Sequence, residues 1–166
     1  MENPDVTFEH LIVEHQHLIH KICTVYGKSN ADREDLFQEI TIQLWKSFDS
    51  FEHKSKFSTW LYRVALNTAI TQKRKENRQP ITNSLSDLEM CIPDNDGTEK
   101  DEDELRALQM AIRQLKPIDR AIIFLYLEEK SYQEIADIIG SNPNNIGVRI
   151  KRIKERLKKL LDGKVN

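Results

Sequence analysis

Apolar residues in this chain recur every three or four positions and never alternate over a useful length. That pattern calls for helices and leaves no strand to build a sheet from. From Phe8 to Tyr26 the apolar positions are Phe8, Leu11, Ile12, Leu18, Ile19, Ile22 and Val25. Gly27, Ser29 and Asn30 then interrupt the rhythm. A second helix is expected over Asp32–Phe48, with Leu36, Ile40, Leu44 and Phe48 spaced by four and Phe37 and Trp45 beside them. A polar loop follows over Asp49–Ser55. A third helix should run from Phe57 to about Glu76, with Ser58 as its expected N-cap.

The rhythm lapses over residues 78–100, which hold Pro80, Pro93, Gly97 and a run of acids. This stretch reads as a linker, with Leu85, Leu88, Met90 and Ile92 as its only apolar anchors. Helical spacing resumes at Leu105, Leu108, Ala111, Ile112 and Leu115. Pro117 suits the start of the next helix, over Ile118–Leu127. Ser131 and Glu134 form a capping box for a short helix that Gly140 ends near Ile139. Asn142 caps a last helix with Pro143 at its first position, running to about Leu161. The expected fold is therefore all-α: two small helical domains at 5–77 and 104–163, joined by a flexible acidic linker at 78–103.

Charge is segregated along the chain although the net is only −2. Residues 2–52 hold ten acids and four bases, and residues 54–78 hold seven bases and one acid. Residues 87–104 carry nine acids against one base, and residues 146–166 carry eight bases against two acids. Two basic blocks separated by an acidic one suggest two contact surfaces for a polyanion. Part of the pattern is structural, because cations at helix C-termini complement the macrodipole. No apolar run approaches the roughly 18 residues of a membrane span. The first eight residues lack a basic start and an apolar core like those of a signal peptide. Cys23 and Cys91 imply no disulfide framework. A cytoplasmic protein without membrane insertion is expected.

Ser131–Leu161 is the most informative stretch. A short helix, a turn at Gly140 and a basic helix follow in order, and Ala136 supplies a small residue where two helices cross closely. In the second helix Ile146, Ile150, Ile153 and Leu157 fall inward at spacings of four, three and four. Asn144, Asn145, Gly147, Val148, Arg149, Lys151 and Arg152 are left for a DNA groove or its phosphates. An αα-hairpin with a basic outer face has the same periodicity.

In the N-terminal block, Asp35, Gln38, Glu39 and Ile42 lie at i, i+3, i+4 and i+7, away from the Leu36/Ile40/Leu44 stripe. This is either a protein-docking face or a solvated one. Residues 51–63 interleave Phe51, Phe57, Trp60 and Tyr62 with His53, Lys54, Lys56 and Arg63, a mixture that suits single-stranded nucleic acid. Phe57, Trp60 and Leu61 also fit a plain core. The loop 49–56 and the polar positions Arg63, Asn67, Thr71, Lys73 and Arg74 are the better candidates.

Together these residues resemble bacterial sigma-70 family transcription initiation factors of the extracytoplasmic-function group. Region 2 of that family is suggested by Asp35-Leu36-Phe37-Gln38-Glu39, by Leu44-Trp45 and Phe48, and by Phe57-Ser58-Thr59-Trp60-Leu61-Tyr62-Arg63-Val64-Ala65-x-Asn67. Region 4 is suggested by Leu115-x-Pro117-x-Asp119-Arg120, Ser131-Tyr132-Gln133-Glu134-Ile135-Ala136, Gly140 and Arg149-x-x-Arg152. The resemblance implies that Asp35, Gln38, Glu39 and Ile42 bind core RNA polymerase at its β′ clamp helices. It implies that Phe51, His53, Lys54, Lys56, Arg63, Asn67, Thr71, Lys73 and Arg74 serve the melted −10 DNA. It implies that Ser131, Asn144, Asn145, Val148, Arg149, Lys151 and Arg152 serve the −35 duplex. The β flap, an anti-sigma factor and a recruiting protein are the further partners it suggests. The acidic linker would pass through the polymerase's template-strand and RNA-exit channels.

The sequence departs from the family at one telling place. Members often carry a Thr-Val-Lys-Ser-Arg-like run where this chain has Asn145-Ile146-Gly147-Val148-Arg149. Gly147 stands in place of a cation and also weakens a helix interior by ~1 kcal/mol against Ala. Weak −35 reading follows as an expectation, with more reliance on the −10 element or on a recruiting protein.

Two other readings fit parts of the chain. A stand-alone helix-turn-helix regulator would explain residues 131–161 alone, but such proteins usually dimerise and no heptad seam is present, so no obligate homo-oligomer is expected. A metal-dependent nuclease would use the acids at Asp101–Glu104, yet consecutive carboxylates do not converge on one ion. His17, His20 and Cys23 lie at i, i+3 and i+6 without a fourth ligand. No catalytic residue, metal or cofactor is expected.

Overall fold

The computed structural model describes residues 4–78 and 97–163, with side chains from Thr7 onward. The described residues form seven α-helices and no strand. They fall into two units, one over 4–78 and one over 97–163.

The first unit packs α1 (Pro4–Tyr26), α2 (Asn30–Ser47) and α3 (Phe57–Arg78) into a bundle. Its core is aliphatic in the middle, where Ile19, Ile22, Ile40, Leu44, Leu61, Leu66 and Ala69 are buried. One end is aromatic. Phe8 packs edge-on against Trp45 and Phe48, and Trp60 lies 5.2 Å from Phe51 and 5.5 Å from Phe57 between ring centroids. Phe48 leaves α2 to begin a short 3-10 turn, Phe48–Ser50. The stripe therefore ends at Leu44, and the rings take over from there.

Two helix starts differ from the sequence expectation. Ser29, which looked like a breaker, is the N-cap of α2, and its Oγ accepts from the Asp32 amide at 3.2 Å. Ser58 is not a cap, because α3 already begins at Phe57 and the Trp60 amide reaches back to the Lys56 carbonyl. Between α1 and α2, Gly27 is forced by space. A Cβ there would lie 2.5 Å from Arg33 Cγ and 2.8 Å from the Cys23 carbonyl oxygen.

The second unit holds α4 (Glu99–Arg113), α5 (Pro117–Leu127), α6 (Tyr132–Ile139) and α7 (Pro143–Leu161). The first helix starts earlier than expected. Thr98 and Asp101 form a capping box, so the acids from Glu99 to Glu104 belong to α4, not to the linker, and Glu99, Asp101 and Glu102 lie in a capped first turn that favours negative charge. α5 is buried along Ala121–Leu125, and α7 packs against all three other helices of the unit. Its Arg120 donates from Nε to the Leu115 carbonyl at 3.1 Å and from Nη2 to the Arg113 carbonyl at 2.7 Å. One guanidinium thus satisfies carbonyls left open at the end of α4. The expected anchors Leu85, Leu88, Met90 and Ile92, and Cys91, lie outside the described residues.

Substituting Gly27→Ala should lower the stability of the chain by about 1–3 kcal/mol through overpacking at the α1–α2 junction. Chemical denaturation followed by circular dichroism measures this, and an unchanged midpoint would mean that Arg33 swings aside without cost.

Candidate DNA and polymerase interfaces

The acidic face of α2 is on the surface as its spacing suggests. Asp35, Gln38 and Glu39 are exposed, and Ile42 keeps 46% of its surface in solvent. Gln43 donates to the Glu39 carboxylate at 2.9 Å, which steadies that side chain at the rim of a groove between α2 and α3. Asp35, Glu39, Gln43 and Ser47 line one wall of this groove; Val64, Asn67, Thr68, Thr71, Gln72 and Lys75 line the other. Residues assigned from sequence to two different tasks therefore share one groove: Asp35 and Glu39 face Asn67 and Thr71.

On α3, Arg63, Asn67, Thr71 and Arg74 are all exposed and follow one another at steps of four, four and three. Lys73, expected on the DNA-facing side, is buried instead. It is only 5% exposed and its Nζ donates to Glu76 at 2.8 Å. It lies a helical turn beyond Ala69 and Ile70, so its stem continues the core stripe. Burial lowers the Lys73 pKa below its ordinary 10.5, and Glu76 pulls it back up. A buried and paired ammonium does not reach a phosphate.

The loop before α3 is partly built into the aromatic end of the bundle. Phe51 is half-buried, 4.5 Å from the His53 ring and 5.7 Å from Phe57. His53 is exposed and has φ of 54°. Lys54 pairs with the exposed Glu52, and Lys56 is exposed. The candidate metal spacing does not gather its residues: Cys23 is buried, its thiol pushed up to about 12 by burial, whereas His17 and His20 are exposed and His20 stacks on Phe37 at 4.5 Å.

In the second unit α6, Gly140 and α7 form the helix-turn-helix. Ser131 Oγ accepts from the Glu134 amide at 3.1 Å, and Glu134 accepts from the Ser131 amide at 2.8 Å. The Ser131 hydroxyl is thus engaged as a cap. Gly140 turns the chain at φ 84°, where a side chain would be strained. Ala136 is buried, and Asn142 Oδ1 caps α7 by accepting from the Asn145 amide at 2.9 Å. Ile146, Ile150, Ile153 and Leu157 are buried, and Asn144, Asn145, Val148, Lys151 and Arg152 are exposed.

The flanks of α7 are tied down. On one side the half-exposed Arg149 donates to Asp119 of α5 at 2.9 Å. Asn145, Val148, Arg149, Arg152 and Arg156 line one wall of a groove whose other wall includes Gln114, Lys116 and Asp119. On the other side Lys154 donates to the Tyr126 hydroxyl at 2.7 Å and lies 4.3 Å from that ring's centroid. Gly147 faces α6: a Cβ there would sit 3.3 Å from Cε2 of Tyr132. In the sequence Asp119 and Arg120 are only part of the region 4 pattern. The fold shows what they hold, Arg149 and the end of α4.

With this geometry in place, the comparisons with known proteins are specific. The sigma-70 region 2 family matches residues 11–79, and sigma-70 region 4 matches residues 105–157. The chain belongs to the sigma-70 family, whose members are transcription initiation factors that act with core RNA polymerase on promoter DNA. Its character within the family is that of the extracytoplasmic-function sigma factors. It is 30% identical over 161 residues to the ECF RNA polymerase sigma-E factor of Escherichia coli K12, covering 90% of this chain and 84% of that protein. It is 27% identical over 165 residues to the RNA polymerase sigma-H factor of Pseudomonas aeruginosa PAO1, covering 93% and 86%. Among solved structures, the sigma factor RpoE of Bartonella quintana, in complex with the anti-sigma factor NepR, aligns with a TM-score of 0.74 at 24% identity over 94% of this chain and 97% of that one. CnrH in complex with the cytosolic domain of CnrY aligns at 0.67 and 20%, over 97% and 91%. These two likenesses concern the fold. A stand-alone regulator is not favoured, because it leaves the region 2 match over residues 11–79 without a role. No helix among the described residues is long and apolar enough to cross a membrane.

The buried Lys73 makes a prediction with a sign. Its folded-state pKa lies below the unfolded one, so its ammonium costs stability at neutral pH, and that cost fades as pH rises toward 10.5. A Lys73→Met variant should match or exceed the native chain in thermal stability at pH 7, with the difference shrinking as pH approaches 10. Its binding to −10 single-stranded DNA with core polymerase should stay within about twofold, as befits a residue with no phosphate contact. Loss of about tenfold would return Lys73 to the DNA face.

Proposed function

We propose a division of labour among the exposed faces of this sigma factor. The α2 face of Asp35, Gln38, Glu39 and Ile42 docks on the β′ clamp helices of core polymerase. The Phe51–Lys56 loop takes a base flipped from the melted −10 strand, with Phe51, His53, Lys54 and Lys56 around it. Flipping costs a few kcal/mol, offset by stacking and phosphate contacts. Arg63, Asn67, Thr71 and Arg74 then track the strand along α3. The second unit meets the β flap and places α7 in the −35 major groove, with Asn144, Asn145, Val148, Lys151 and Arg152 outward, Arg149 at the edge and Ser131 beside a phosphate. Bond formation is left to the polymerase, and the chain works in the cytoplasm, where its DNA is.

The observation that carries this reading is the pairing of exposures in the first unit. One bundle presents an acidic α2 face and a polar, cationic α3 row, and no single polyanion fits both. A protein and a nucleic acid do. An anti-sigma factor is a further partner, as the Bartonella quintana sigma factor of the same fold was solved with one. Gly147 removes a cation that the family often places on α7, so −35 affinity is modest and a −10 element or a recruiting protein compensates.

Two charge-changing variants separate the faces. Glu39→Lys should weaken binding to core polymerase at least tenfold, and Arg74→Ala should leave that binding within twofold while slowing open-complex formation. The reverse outcome would exchange the two assignments. Gly147→Lys should tighten promoter binding and steepen the slope of log K against log salt by about 0.9, the worth of one added phosphate contact. Unchanged affinity and salt slope would contradict the account of the −35 contact.

A further inference from the structure

From the Tyr132, Gly147 and Val148 arrangement we infer that the outward centre of α7 reads the 5-methyl group of a thymine in the −35 duplex, with Val148 as the specificity-determining residue. This rests on the assignment of α7 to the −35 major groove. At about 100° per residue, Val148 lies nearly opposite the buried Ile146/Ile150/Ile153/Leu157 stripe. It is 51% exposed, so an apolar side chain occupies the point of the helix that enters a groove most deeply. Lys151 and Arg152 follow it one turn later, and Asn144 and Asn145 precede it by one turn, all exposed. Cations and amides ring an apolar centre.

That ring selects the occupant. An apolar peptide partner would gain nothing from eight bases in residues 146–166, whereas duplex DNA presents phosphates on both sides and one kind of apolar patch in its major groove, the thymine methyl. The neighbouring position strengthens the reading. Gly147 carries no side chain and the ring of Tyr132, 42% exposed, lies against its backbone with Cε2 3.3 Å from where a Cβ would be. The flank of Val148 that could have held a cation therefore holds an aromatic surface. Guanine and phosphate contacts are given up there, and a methyl contact is what the remaining chemistry favours. The change at 147–148 thus alters which base edge is read as well as how tightly the duplex is held.

The test uses the full chain bound to core polymerase and −35 duplexes selected by that complex from a randomised pool. Each thymine in the selected consensus is replaced singly by deoxyuridine, which removes the methyl and nothing else. At one position affinity should fall about fourfold, the worth of one buried carbon. Val148→Ser should bring the thymine-to-uracil ratio at that position to about one, and Val148→Thr, which keeps a methyl, should preserve most of the native ratio. A consensus without a thymine, indifference to uracil at every position, or full discrimination in Val148→Ser would each overturn the inference. If the complex fails to protect any −35 sequence from nuclease, the placement of α7 itself falls; protection without methyl discrimination removes the role of Val148 alone.

Discussion

Two long helices each have to bury an aliphatic stripe and carry cations on the opposite side, and the rest of the structure follows from that demand. α3 buries Leu61, Ala65, Leu66, Ala69 and Ile70 and shows Arg63, Asn67, Thr71 and Arg74. α7 buries Ile146, Ile150, Ile153 and Leu157 and shows Asn144, Asn145, Val148, Lys151 and Arg152. A helix fixed by its buried side has no freedom to rotate its outer side, because a turn of one residue would put charge into the core. The outward faces are therefore as rigid as the cores beneath them. The short elements serve this end. Ala136 and Gly140 let α6 lie close under α7, and the Arg120 guanidinium closes the α4–α5 turn against which Arg149 is anchored through Asp119.

Much of this was legible in the sequence, since the stripes are local and periodic. The helices, the Ser131–Glu134 capping box, the turn at Gly140 and the Asn142–Pro143 start of α7 are all set by residues within four positions of one another. The Thr98–Asp101 box is equally local, but the acids around it have the composition of a linker. Lys73 was readable too: it extends the Leu66, Ala69 and Ile70 stripe, but its charge suggested the surface. What spacing could not show were contacts between distant residues. Arg149 and Asp119 are thirty positions apart, and the meeting of Tyr132 with the bare backbone at Gly147 depends on how α6 crosses α7. The groove that puts Asp35 and Glu39 opposite Asn67 and Thr71 is likewise a product of helix packing.

The electrostatics give the two units different characters. In the first, the Asp35 and Glu39 carboxylates face the polar side of α3 across one groove, with Lys75 as the cation on that wall. In the second, five acids lie in the first two turns of α4 and Asp119 is paired with Arg149, while α7 carries a mainly basic surface with an apolar centre at Val148.

The most direct test is start-site mapping in transcription reactions with bacterial core RNA polymerase, with and without this protein, on a pooled promoter library. The account predicts new, defined starts that appear only with the protein and share sequences near −10 and −35. A folded protein that neither binds core polymerase nor adds any start would contradict it.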